Sequence, residues 1–284
     1  MVELINRKYG ADLIGSKLYL SALTISGEKK TVDLFLEVNT SEGEKQPFEN
    51  NSEIYFSADS SEALVKRIKV PPLEGLESEK IALFELQTFL LDESERYYKE
   101  TYKLDHRPEF LAVAYSREKI DSKMNLLRNF LPNPKGFKHR ALALYEGFKH
   151  FCRNEGGEMI CLADFGREEI TLCFVENGQP VATDFLHIQD TREEWDSELP
   201  SDILIDLTAI LKYQSSLLFQ AGFSVPLSTI VISGNKSGEE LVLQIQKNTR
   251  IKAVLPKMKN ELFAPELAGK AHKFLVSIGL TVAN

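Results

Sequence analysis

Twice along this chain, β-branched and aromatic residues come as back-to-back hairpins and then give way to helix, strand and helix. A single doubly wound sheet alternates strand and helix from its start, so it does not fit this order. The doubled layout predicts a mixed α/β chain of two related lobes, residues 1–157 and 158–284. In the first, "KLYLSALTI" and "TVDLFLEV" flank the turn "SGEKK". "EIYFSAD" and "VKRIKV" add two strands, and Pro71-Pro72 stop the second. "ESEKIALFELQTFLLDESERYYKETY" is helical in its first half, "PEFLAVAYS" is a strand, and "REKIDSKMNLLRNF" is a helix closed by the break "LPNPKG". "HRALALYEGFKHFCRNEGG" makes a third helix that leads to the second lobe.

That lobe opens with hairpins over 158–188, turning at Asn177-Gly178. An acidic connector, "TREEWDSELP", with Trp195 its only large apolar residue, predicts an exposed link over about 190–200. The long helix "SDILIDLTAILKYQSSLLFQAG" and the buried-type strand "STIVISGN" follow. "SGEELVLQIQKNT" opens on Ser237-x-x-Glu240, a capping-box spacing. A short strand "IKAVL" and the helix "ELAGKAHKFLVSIG" complete the layout.

With 284 residues the chain can bury a sizeable core. Its net charge of −8 argues against a general nucleic-acid binder, which carries a basic patch. No apolar run approaches the ~18 residues of a membrane span, and "MVELINRKYG" lacks the apolar stretch of a signal peptide. Cys152, Cys161 and Cys173 have no CxxC spacing and predict free thiols in a reducing cytoplasm. Cys161 and Cys173 are placed to face each other across a hairpin as two buried thiols.

Three segments share one design, in which a strand ends and the backbone turns on a small or acidic residue. They are "GADLIGS" (10–16), "LADFGRE" (162–168) and "VISGNKSG" (231–238). Glycine there lets a backbone approach a phosphate closely, and N–H groups at a turn attract it. Each alone is better explained by an ordinary turn, and the order and spacing of all three carry more.

In this order the segments resemble the actin-like ATPases, and among them the PilM-type proteins of type IV pilus and type II secretion inner-membrane platforms. "VKRIKVPPLEG" is similar to that family's Arg-x-x-x-Pro strand end, "LADFG" to its second phosphate loop and "IVISGN" to its adenosine-side strand. "HRALALYEGF" is similar to the helix between lobes, and "FLVSIGLTVA" to the terminal helix. The resemblance implies a two-lobed, ribonuclease H-like fold with an inserted subdomain over about 67–130. It also implies nucleotide loops at Asp12, Gly15, Ser16, Asp164, Gly166, Ser233 and Gly234.

The departures from the pattern point away from catalysis. "DLIGSK" carries one residue more than the family's Asp-Ile-Gly-Ser, and Gly234 is followed by Asn235 and Lys236 rather than further glycines. The connector leaves no length for the subdomain that covers the nucleotide. Asp12 and Asp164 are able to hold Mg²⁺ through water, but no residue stands out to orient an attacking water. Glu85 reads as a solvated helix face, and the five histidines lack metal spacing.

The expectation is a non-catalytic scaffold with vestigial nucleotide loops, no required cofactor and no catalytic or metal residues. The resemblance implies a cytoplasmic location and attachment to the inner membrane only through a protein partner, whose short cytoplasmic tail is held by the first lobe. Phe84, Phe89, Tyr97 and Tyr98 are the candidate partner contacts, with Phe84 and Phe89 better explained as core and Tyr97 and Tyr98 placed at a groove rim. Homo-oligomerisation stays open. So do two alternatives, an active ATPase or small-molecule kinase using Mg-ATP and an unrelated α+β interaction domain.

Overall fold

The computed structural model describes residues 6–40, 52–71, 76–90, 94–104, 107–132, 134–153, 159–166, 168–188, 198–223 and 226–282. Two five-stranded sheets repeat one topology. The first orders β3 (Lys29–Asn39), β2 (Lys17–Ser26), β1 (Asn6–Ile14), β4 (Glu53–Ala58) and β8 (Pro134–His139). The second orders β11 (Gln179–His187), β10 (Glu169–Glu176), β9 (Met159–Phe165), β12 (Thr229–Ser233) and β13 (Lys252–Val254). In each, an antiparallel meander of three strands is extended by two parallel strands beside the first. The central strand β9, "MICLADF", is buried along its whole length, which is why it reads as one apolar run rather than an alternation.

Between β4 and β8 the chain makes a small antiparallel sheet, ordered β5 (Ala63–Lys69), β7 (Glu109–Ser116) and β6 (Tyr97–Lys103). Helix α1 (Leu76–Gln87) covers its outer face, and α2 (Arg117–Leu127) packs on β7. Two of these strands depart from the expectation. "YYKETYK" is β6 and not the tail of a helix, and "PKGFKH" is β8 and not a plain break. Both are edge strands, where charged residues are tolerated and Pro134 opens the strand without needing to donate.

Helix α3 (Arg140–Phe151) is buried on nearly every side, and it packs against the terminal α6 (Leu275–Leu280). They cross on glycine. A Cβ at Gly279 would lie 1.8 Å from the Ala143 carbonyl, and one at Gly147 would lie 2.2 Å from the Leu275 carbonyl. The C-terminal segment is a 3-10 helix over Ala268–Phe274 before it becomes α6, so it is not one continuous α-helix.

Helix α4 (Ser201–Gln220) flanks the second sheet beside α5 (Glu239–Thr249). The capping box at Ser237 is not formed. Gly238 is the N-cap, and Ser237 Oγ donates to the Gly234 carbonyl instead. Most of the predicted link over 190–200, including Trp195, lies outside the described residues. Its end is not free, because Leu199 is buried and bonded through its own N–H and carbonyl to the Gln244 side chain.

All three cysteines are free and buried. Cys161 pairs with Phe174 and Cys173 with Leu162, so the thiols are one register position apart and enter different core clusters. Among the described residues no helix is long and apolar enough to cross a membrane.

Candidate functional site

The twin sheets bring equivalent strands to the cleft between the lobes. β1 delivers Asp12 and β9 delivers Asp164, while β4 supplies Ser57 and β12 ends on Ser233. Into this cleft the first residue of α3 sends the guanidinium of Arg140. Its Nη2 lies 3.1 Å from Asp12 Oδ2 and 2.8 Å from Asp164 Oδ2. The remaining oxygens are also taken. Asp12 Oδ1 accepts from Ser57 Oγ at 2.6 Å, and Asp164 Oδ1 accepts from Ser233 Oγ at 3.1 Å. Every carboxylate oxygen of the pair therefore has a protein donor.

The group is dry. Asp12, Arg140 and Asp164 are 4%, 2% and 2% exposed. Burial alone would weaken the Arg140 charge, but Asp12 and Asp164 together outweigh it and hold the guanidinium protonated above its ordinary range. Burial pushes the Asp12 carboxyl upward, against Arg140 and with Asp164. Next to it, His139 caps α3, its Nδ1 accepting from the Ala141 N–H at 3.2 Å. Burial lowers the pKa of that imidazole to about 4.

The turns around the triad are closed by other groups. Gly15 has φ +57° at the β1–β2 tip, and a Cβ there would lie 2.4 Å from Glu168 Oε1. Ser16 beside it is exposed, and its carbonyl accepts from the Thr40 N–H. The Gly166 N–H is spent on the Glu169 carbonyl at 3.0 Å. Gly234, at φ +98°, lies so near the backbone of Phe165 that a Cβ would come within 2.6 Å of its carbonyl oxygen. Its N–H is spent on the His272 carbonyl. Across the cleft, Asn235 Nδ2 donates to the Tyr19 hydroxyl at 2.7 Å. Among the described residues, a space of about 90 Å³ is bordered by Asp59, Glu168 and Glu169 as well as Arg140.

A second brace joins the lobes elsewhere. Phe223, fully buried, is faced by Arg67 at 4.5 Å and Arg107 at 3.8 Å, both from the small subdomain. Arg107 also pairs with Glu176 of β10 at 3.2 Å.

Two solved structures share this architecture over the whole chain. A PilM–PilN type IV pilus biogenesis complex matches with a TM-score of 0.75 at 13% identity, over 97% of this chain and 97% of that one. A Bacteroides thetaiotaomicron protein with an actin-like ATPase fold and unknown function matches at 0.52 and 13% identity, over 98% and 96%. The chain has the actin-like ATPase fold. A third match is the cytoplasmic domain of EpsL, an inner-membrane component of the type II secretion system of Vibrio cholerae, at 0.53 and 12% identity over 98% and 97%. No family model matches the chain, and no curated protein matches it by sequence.

A magnesium nucleotide is the ligand that an actin-like fold implies, and the residues present do not fit one. A permanent cation already bridges the two aspartates. The Glu168 carboxylate rests on the turn at Gly15, where it would repel a phosphate. The turn at Gly234 lies on the backbone of Phe165 beside the turn at Gly166. Ligand pockets run from roughly 300 to 1,000 Å³, several times the space of about 90 Å³ beside Arg140.

A second groove, between the first sheet, the small subdomain and the C-terminal residues Thr281 and Val282, measures about 460 Å³. Consecutive residues Glu100, Thr101 and Tyr102 of β6 border it, as do Phe137 and Lys138 of β8. Neighbouring residues of a strand point to opposite faces, so a cavity touching three in a row runs along the strand's edge. Among the described residues, β6 and β8 are terminal strands of their sheets. Tyr55 and Tyr102 add aromatic wall, and Lys138 lies over the Tyr102 ring at 5.6 Å.

The four expected partner residues are not brought to this groove. Tyr98 does not form a free rim. Its ring packs on Phe137 at 5.4 Å under the Arg117 guanidinium, and its hydroxyl donates to Asp121. Tyr97 packs against the α1 side of the small sheet. The core reading of Phe84 and Phe89 is overturned, since they are 65% and 50% exposed, Phe84 on α1 and Phe89 just past its end, where Lys66 of β5 lies 5.3 Å from its ring. Arg140, Tyr102 and Lys138 were missed. A charged residue opening an otherwise apolar helix in "HRALAL" was the one local sign of Arg140.

Proposed function

We propose that the chain is a non-catalytic actin-like scaffold whose first-lobe groove holds a short extended tail of an inner-membrane protein in a pilus or secretion platform. The observation that carries this reading is the contrast between the two clefts. The interlobe cleft is filled by Arg140 and its aspartates, whereas the groove between β6 and β8 is open and flanked by strands that end their sheets among the described residues. An extended segment adds to such an edge through backbone hydrogen bonds, and side-chain pockets give the choice of sequence. The likeness to a PilM–PilN complex and to the cytoplasmic domain of an inner-membrane component supports the class of partner. In this account the lobes do not cycle with ATP. They are a rigid frame that presents the groove beneath the membrane.

A photo-crosslinking residue placed at Tyr102 in the full chain tests the reading in the producing cell. The expected product is a membrane protein captured through a short cytoplasmic segment, with no such product from a crosslinker at Lys236 by the closed cleft. Equal capture from both positions, or only soluble proteins from Tyr102, would sink it.

A further inference from the structure

Half-buried Glu100, in the middle of β6, borders the open groove on the strand face that also carries Tyr98 and Tyr102. Its Oε1 accepts from the Tyr115 hydroxyl, which in turn accepts from the His139 N–H at 3.0 Å. Burial, and after it the Glu100 charge, hold the Tyr102 and Tyr115 phenols protonated, which leaves two hydroxyl donors around the carboxylate. Among the described residues Glu100 has no ion pair. Lys99 and Lys103 of the same strand belong to its other face, where Thr101 bonds to Glu79 of α1. The cations that line the groove are spent elsewhere or screened. Lys8 pairs with Glu53 at 3.9 Å, and Lys138 pairs with Glu146 at 3.8 Å. Burial lowers the pKa of His150, so its imidazole, 3.2 Å from Glu146, is neutral at pH 7. Lys30, near the start of β3, is exposed.

Building on the tail-binding role of the groove, we propose that Glu100 sets its specificity, and that the bound segment presents an arginine or lysine side chain to this carboxylate. A carboxylate drawn partly out of water, with hydroxyl donors and no cation, is incompletely compensated. An incoming guanidinium or ammonium supplies the missing charge and a charge-assisted hydrogen bond, whereas an acidic residue at that point is turned away. Tyr55 and Tyr102 offer apolar wall to the aliphatic stem of such a side chain. Lys30 does not reverse the choice, because water and salt screen an exposed charge more than a half-buried one. Cytoplasmic segments beside a membrane span are rich in Lys and Arg, so the partner class has the residue to give. Tyr115 is a positioning residue, fixing the carboxylate through its own bond to the end of β8.

Selection of random short peptides, displayed against the full chain as wild type and as Glu100→Gln, tests the proposal. Binders are kept when a photo-crosslinking residue at Tyr55, on the opposite wall of the groove, captures them. Wild type should select peptides with an arginine or lysine at one fixed position, and replacing that residue by methionine should weaken binding by about 10–100-fold. Glu100→Gln keeps an acceptor for Tyr115 and should melt as wild type does. It should bind the same peptides more weakly by a similar factor, lose nothing further when the basic residue is also replaced, and select no basic position of its own. The preference of wild type is read without any variant, so it stands as a test if Glu100→Gln fails to fold. Captured peptides with no fixed basic residue, or ones that bind a folded Glu100→Gln as tightly, would overturn the proposal and leave the groove's tail-binding role standing. No peptide captured through Tyr55 would overturn both.

Discussion

Arg140→Met tests whether the guanidinium is the counter-charge that keeps the interlobe cleft shut. Methionine keeps the apolar stem and removes the cation. Asp12 and Asp164 both reach the same Nη2, at 3.1 and 2.8 Å, so their facing oxygens are no more than about 6 Å apart. At an effective dielectric near 20, two like charges at that distance repel by about 3 kcal/mol. Removing one partner of a buried ion pair costs about 3–5 kcal/mol. The serine hydroxyls on the outer oxygens remain, and Asp12, already pushed up by burial, is the first to take a proton. The expected loss at pH 7 is therefore about 3–5 kcal/mol, or a melting temperature lower by on the order of 10 °C. The loss should shrink toward pH 5, because protonating one carboxylate removes the repulsion. Asp12→Asn added to Arg140→Met should recover a large part of it at pH 7. Urea unfolding at both pH values measures all of this. An Arg140→Met chain within about 0.5 kcal/mol of wild type at pH 7, or a deficit that ignores pH, would refute the reasoning.

Three smaller perturbations follow from the same packing. The His139 pKa falls from 6.5 to about 4 on folding, so its contribution is fully present above pH 6.5 and lost as pH falls through 4, a total of about 3 kcal/mol. His139→Asn, which keeps a cap acceptor, should flatten the stability profile across that window, and an unchanged slope would contradict it. Gly279→Ala should destabilise by about 1–3 kcal/mol despite its better helix propensity, since the new Cβ meets the Ala143 carbonyl. A melt at or above wild type would show that α3 and α6 move apart freely. Tyr19→Phe and Asn235→Ala should show a coupling of about 0.5–1.5 kcal/mol in a double-mutant cycle read by urea unfolding, and simple additivity would mean that their bond does not clasp the lobes.

Much of the fold was legible because its strongest signals are local. β9 to β11 announce themselves through apolar runs and the Asn177-Gly178 turn. α3 and α4 do so through long apolar periodicities. β6 and β8 were not legible because edge strands carry lysines, glutamates and a proline that no buried strand would hold. Asp12 and Asp164 were found at loop positions, but the residue joining them was not. Arg140 acts between two aspartates that are distant in sequence, and only the meeting of the two sheets brings them to one nitrogen. Phe84 sits in a run of apolar residues whose inward members are Ala82 and Leu86, and one run does not say which of its members faces out.

Thermal melting of the full chain with and without about 5 mM Mg-ATP tests most directly the claim that the interlobe cleft is closed to nucleotide. A ligand that binds the folded chain at 100 times its dissociation constant stabilises it by about 2.7 kcal/mol, a rise of roughly 5–10 °C. The closed cleft predicts no shift beyond that given by magnesium and an equal ionic strength. A rise that grows with ATP concentration, and that vanishes in Asp164→Ala, would contradict it.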